Sequence, residues 1–300
     1  IFNGHGRSCN IEPIADTTTS TPHQGTCPHE PREVEQDCPQ RGFPKETIPR
    51  FQSLEYLRAF TTGRVGWSQM NSLLIISGAF GMFKRDNVIR IGGYITSSGV
   101  LQKDSVGEDM ELVVRLTYNA LQQKQKYYVK YIFHANCYTE LPSDTKTLLR
   151  QRNRWHRGLV DILSYYRRLF MNPRYKQIGL LVLPYFYIFE VIGPLFEVVG
   201  YTMLIVGLIL GILSPAILLG VFLVSVWFGI VISLSSLYIA EFDESSFSKK
   251  DIVLLILFGI LENFGYRQVL SFHRAYSLFT ALKESGKWGE QKRKGIAAKS

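Results

Sequence analysis

Three apolar blocks constrain this chain more than any other feature: Ile178 to Leu213, Pro215 to Ile239 and Ile252 to Leu270. A bilayer core takes about 20 residues of helix, and lipid offers no partner for an open strand edge, so this part must be helical and membrane-bound. The first block is too long for one straight crossing. Pro184 and Pro194 offer bends in it, which predicts an interfacial helix leading into a span from roughly Val191 to Ile212. The second block reads as one uninterrupted span. The third carries Glu262, Asn263 and Arg267, which are costly in lipid and are expected to face protein or a water-filled path. Glu190 and Glu197, seven residues apart, share a helix face.

The residues just before the first block are strongly basic. Lys146, Arg150, Arg152, Arg154, Arg157, Arg167, Arg168, Arg174 and Lys176 stand against Asp161 alone between Thr145 and Gln177. Such a density marks a cytoplasmic flank near anionic lipid, and it accounts for the net charge of +9 without any nucleic-acid-binding module. The expected location is a cell membrane (inner or plasma), multi-pass, with the chemistry on the cytoplasmic side. Three spans after a cytosolic basic helix would leave the tail "ESGKWGEQKRKGIAAKS" outside, against the positive-inside tendency. Either the third block lies in the interface or the first crosses twice.

The remainder divides by pattern. Residues 1–50 read as an irregular leader rich in Pro, Thr, Gly and His. The first residue is not Met, and the opening has neither the basic start nor the apolar core of a signal peptide, which reads as the C-terminal piece of a larger protein. Cys9, Cys27, Cys38 and Cys137 form no CxxC pair and, with His23 and His29, match no structural zinc spacing; they read as reduced thiols. Residues 51–176 alternate: a helix at "FQSLEYLRAFTTGR", a buried strand and short helix through "NSLLIISGAFGMFKRDNVIRIGGY", an amphipathic helix at "VGEDMELVVRLTYNALQQKQ", a strand at "YYVKYIFHANCYTEL", and the basic helix after Pro142. That alternation predicts an α/β layer followed by a helical membrane region, 177–275, and a basic tail, 276–300.

Two stretches carry chemistry. In "VGEDMEL", Glu108 and Asp109 stand at a helix start, where free N–H groups and the dipole keep a carboxylate ionised and able to act as a base toward a hydroxyl; the alternative is simple capping. In "LLRQRNRWHRGL", Gln151, Arg154 and Trp155 lie at i, i+3 and i+4, on one helix face. An amide, a guanidinium and an indole together can grip a diphosphate and a sugar ring. The alternative there is a basic flank that only fixes orientation.

Taken together, Gly107-Glu108-Asp109, then Gln151-Arg152-Asn153-Arg154-Trp155, then membrane helices, the sequence resembles the processive, membrane-embedded family-2 glycosyltransferases, which include cellulose, hyaluronan, chitin and poly-N-acetylglucosamine synthases. The first stretch fits the family's (T/G)ED motif and the second its Q(Q/R)xRW motif, over a resemblance running from about Pro44 to the C-terminus. "SGAFGMFKRDNVIRIGGY", with Gly78, looks like the family's segment before the acidic motif. The resemblance implies a partial GT-A-type domain, with Asp109 as general base and Glu108 beside it. It implies Gln151, Arg152, Arg154 and Gly78 as substrate-binding, with Trp155 stacking on the acceptor. It also implies a UDP-sugar donor, a polysaccharide acceptor threaded toward the bilayer, and a divalent metal (Mg or Mn) whose DxD ligands have no counterpart in this sequence. The competing readings are a non-processive, lipid-linked sugar transferase and a non-enzymatic channel or transporter.

Overall fold

The computed structural model describes residues 2–3, 44–76, 81–95, 106–132, 138–139, 141–243 and 248–283. Helix α1 (Thr47–Leu57) runs without a break through a π-helical stretch, Arg58–Arg64, into α2 (Val65–Gln69). Asn71, at φ 50°, turns the chain, and Leu73 and Leu74 continue into the core. The short α3 (Arg85–Arg90) ends at Gly92 and Gly93, whose φ values of 86° and 75° suit residues without Cβ.

Helix α4 (Glu108–Gln122) opens with three carboxylates in its first turn, Glu108, Asp109 and Glu111, where the backbone N–H groups are unpaired. Helix α5 (Thr145–Tyr165) is capped by Asp144, which accepts from the Thr147 N–H at 2.9 Å. Met110 and Val114 of α4, Ile162 and Leu163 of α5, and Ile178, Val182, Leu183, Phe186 and Val191 beyond them close one core. Each such fully buried aliphatic side chain contributes about 1.5–3 kcal/mol, so the acidic helix, the basic helix and the start of the membrane region form one packed unit. Glu111 reinforces the joint: fully buried, it pairs with Arg115 at 2.9 Å and accepts from Tyr166 Oη at 2.7 Å.

The first apolar block is one helical run, Ile178–Ile209, with π-helical stretches Ile178–Val182 and Phe186–Ile192 on either side of α6 (Leu183–Tyr185), and α7 (Gly193–Ile209) after them. Each wide stretch precedes Pro184 or Pro194 closely, where a missing N–H and the ring's clash with the carbonyl four residues back loosen the α-helical ladder. Helix α8 (Pro215–Asp243) follows, then α9 (Lys249–Leu261) and α10 (Tyr266–Lys283), the last two bent by 58° at a break containing Gly265 (φ 116°). Ile178–Ile209 and Pro215–Ala240 are long and apolar enough to cross a membrane, and the bent pair is a third candidate.

The expected α/β layering is not what the described residues show. They are helical apart from a two-residue parallel pairing of β1 (Phe2–Asn3) with β2 (Tyr138–Thr139). The segment from Tyr127, expected as a strand, has side chains where a neighbouring strand would be: Asn71 Nδ2 donates to Tyr127 O at 2.8 Å, Asn71 Oδ1 accepts from Val129 N at 3.0 Å, and Ser68 Oγ accepts from Tyr131 N at 2.8 Å. Backbone groups need partners, and here a helix-end Ser and Asn supply them in place of a ladder.

Candidate active site

The start of α4 lies against the middle of α5 because two glycines meet there. A Cβ on Gly158 would stand 3.1 Å from both N and Cα of Gly107, and one on Gly107 would stand 3.2 Å from Gly158 O. No larger pair would allow that approach. The contact brings Glu108 and Asp109 close to the helix that carries Gln151, Arg154 and Trp155. Asp109 Oδ1 accepts from Met110 N at 2.8 Å.

Gln151 and Arg154 are half-buried, and Trp155 is 42% exposed. Glu108 Oε2 and Gln151 Oε1 are buried acceptors with no hydrogen bond among the described residues. Arg152 points the other way. It is buried, ion-paired with Glu55 at 2.8 Å, and its guanidinium carbon lies 4.5 Å from the Trp155 ring centroid. The same guanidinium carbon is 5.9 Å from the ring of Tyr56, which is stacked on Trp155 at 6.3 Å and lies next to Phe60 at 5.3 Å, while Arg64 lies over the Phe60 ring at 4.0 Å. Phe60, Tyr56 and Trp155 thus form an aromatic row with Arg64 over its Phe60 end and Arg152 alongside Tyr56 and Trp155, and its exposed member is the indole.

A family model described as Glycosyl transferase family group 2 matches residues 46–239, well over half of the chain. The chain belongs to this glycosyltransferase family. The match runs from the residue before α1 through most of α8, so it includes both acidic and basic stretches and leaves α9 and α10 outside. No curated protein and no solved structure matches the chain. Family membership assigns the chain to glycosyl transfer between a nucleotide-sugar donor and an acceptor, beside helices able to enter a membrane.

The electrostatics separate the two carboxylates of this glycosyltransferase. Burial pushes the Glu108 carboxyl above its ordinary range and the neighbouring Asp109 adds to the push, while a backbone N–H and the Arg154 guanidinium oppose it. Burial lowers Arg64 to about 10, against the pull of Tyr131, Asp109 and Tyr56. Arg64 thus stands near Asp109 and Arg154 near Glu108, and burial outweighs Arg154 in biasing Glu108 toward its neutral form. Among the described residues no group of three or more His, Cys, Asp or Glu side chains could hold a metal ion. Gly78, expected in the substrate site, lies outside the described residues. Tyr56, Phe60 and Arg64 escaped the sequence reading, although their i, i+4, i+8 spacing was the available signal.

Proposed function

We propose that the chain carries the acceptor side of an inverting, processive polysaccharide synthase that uses a UDP-sugar and works at a membrane with its chemistry on the cytoplasmic face. What supports the reading is the Gly107–Gly158 contact, which joins an acidic helix start to an arginine- and tryptophan-bearing helix face. In this reading Asp109 takes the proton from the attacking acceptor hydroxyl, and the hydroxyl oxygen then displaces the nucleoside diphosphate at the sugar's anomeric carbon. Arg154 and the Gln151 amide hold the diphosphate, a task that a planar guanidinium performs with paired donors. Trp155 carries the acceptor ring, and Arg152, held by Glu55 and packed against both the indole and Tyr56, serves the substrate by fixing the plane of Trp155. The proposal keeps a divalent metal, Mg or Mn, as the companion of the donor; it gives that metal no residue of this chain and no step of the transfer.

The test is label transfer from UDP-sugars into product by the full-length protein in isolated membranes, normalised to inserted protein, since the acceptor side alone is expected to be inactive. Asp109→Asn should lower transfer by about 10²–10⁴-fold, the usual cost of losing a general base, and Glu108→Gln should be milder. A larger loss in Glu108→Gln than in Asp109→Asn would move the base to Glu108.

A further inference from the structure

The helix that carries Tyr56, Phe60 and Arg64 has a second, polar edge. Arg58 and Thr62 reach into the membrane helices, while Glu55, three residues before Arg58, ties the same edge to α5 and α10. Glu55 takes Arg152 at 2.8 Å and the Tyr266 hydroxyl at 3.4 Å. Arg58 donates to Ser233 Oγ at 2.7 Å and is ion-paired with Glu262. Thr62 Oγ1 lies 2.9 Å from Ser236 Oγ. Glu262 is fully buried, also accepts from Ser233 at 2.8 Å, and sits where α9 breaks before α10.

The receiving face of α8 is made of small residues at Gly229, Ser233 and Ser236. A Cβ at Gly229 would overlap Asn263 Oδ1 and crowd Arg267, so the absence of a side chain there leaves room for the polar side chains of the α9–α10 break and the start of α10. A charge pair placed among apolar helices is costly to desolvate, and losing either partner leaves the other buried and uncompensated. Its position fits an element that connects the two regions: Arg58 lies two residues beyond Tyr56 of the aromatic row, on the same continuous helix.

We propose that Arg58, Glu262 and Ser233 are positioning residues, a clamp through which α8 and the α9–α10 break set the placement of the Phe60–Tyr56–Trp155 row. None of the three touches substrate. Their role is to fix the rotation of the α1 helix, and hence the plane of Tyr56 on which Trp155 rests. The inference rests on reading Trp155 as the acceptor's platform, and it extends the site to α9, outside the residues that the family model matches.

The test uses the full chain in lipid nanodiscs, labelled with 5-fluorotryptophan. Of the four tryptophans, Trp155 is assigned by Trp155→Phe, and Trp227, exposed on α8, serves as internal reference. Glu262→Gln and Arg58→Met should each displace and broaden the Trp155 fluorine resonance and leave that of Trp227 in place. Arg58→Lys, which keeps the charge, should restore most of the wild-type position, and the double variant should shift no further than either single one. Ser233→Ala leaves the ion pair and supplies a gentler perturbation if the charge variants do not insert; it should move Trp155 the same way by less. An unmoved Trp155 resonance in Glu262→Gln and Ser233→Ala, or additive shifts in the double variant, overturns the clamp. Label transfer from UDP-glucose and UDP-N-acetylglucosamine by the full-length protein carrying Trp155→Leu, in isolated membranes, separates the two readings: normal transfer refutes the platform, whereas a moved resonance in Glu262→Gln still upholds the clamp.

Discussion

Replacing Gly158 with alanine is the sharpest perturbation of the candidate site, because it changes one methyl group and no charge. The new Cβ would lie 3.1 Å from Gly107 N and Cα and 3.2 Å from Val106 C. All three are backbone atoms at a helix start, so none can swing aside as a side-chain tip would. Relief requires α4 and α5 to part by a few tenths of an ångström. Overpacking of this kind costs about 1–3 kcal/mol. Exchanging a mid-helix glycine for alanine returns about 1 kcal/mol, so the net destabilisation is only about 0–2 kcal/mol and the fold persists. Function is less forgiving. If a misplacement of about 1 Å costs about 10²-fold, a few tenths should cost about 10-fold, roughly 1.4 kcal/mol in the barrier. The assay is label transfer per inserted molecule beside the thermal midpoint of the purified variant. Gly66→Ala, where nothing lies within 4 Å of the added carbon, is the control and should keep full activity. Wild-type transfer by Gly158→Ala, with an unchanged midpoint, would show that the acidic and basic stretches do not act as one site.

Other outcomes follow from the same geometry. Arg154→Lys should lose the planar fork and about 2 kcal/mol of diphosphate binding, while the exposed Arg150→Lys should leave donor KM unchanged; equal values would return the stretch to a basic flank. His156 is buried on α5 and its pKa is lowered to about 4 by burial, with Arg274 adding to the effect. A depressed histidine stabilises the fold fully above its ordinary value of 6.5 and ceases to do so as pH falls toward 4, so about 2–3 kcal/mol should be lost across that window. His156→Gln should flatten that part of the melting profile, and an identical slope would exclude the histidine. Glu108 has the opposite sign: its raised carboxyl stabilises the fold below the ordinary range and loses that advantage as pH rises. Glu108→Gln should therefore gain more melting temperature at pH 7.5 than at pH 4.

Local chemistry was legible in the sequence where the cause was local. The acidic start of α4, the start of the basic helix after Pro142 and the glycine stop after α3 are set by neighbours within a turn. Sequence also showed that Glu262 needed company, since an acid in an apolar block must be paired. It could not show that the partner was Arg58, 204 residues away, because that depends on how α1 meets α8 and α9. The Gly107–Gly158 contact was equally hidden: a glycine before a helix reads as a cap, and one inside a helix reads as a defect. The segment from Tyr127 misled for a related reason. Alternation says that a stretch is ready to pair, but the partner decides, and here Ser68 and Asn71 provide it.

The helix Ile178–Ile209 has a further consequence. At 1.5 Å per residue its 32 residues extend about 48 Å, well beyond the roughly 30 Å of hydrocarbon in a bilayer. The surplus is not spare length, because Ile178, Val182, Leu183, Phe186 and Val191 are buried in the core shared with α4 and α5. In a bilayer crossed by this helix, lipid would meet it mainly along α7, a length close to one bilayer core. The helix would then act as a ruler between the hydrocarbon and the α4–α5 core that carries Arg154 and Trp155. A thicker bilayer would have to tilt this ruler or draw the core toward the hydrocarbon, at a fraction of a kcal/mol per ångström of mismatch. Membrane thickness is thus a physical variable to which the distance between the candidate site and the lipid is directly tied.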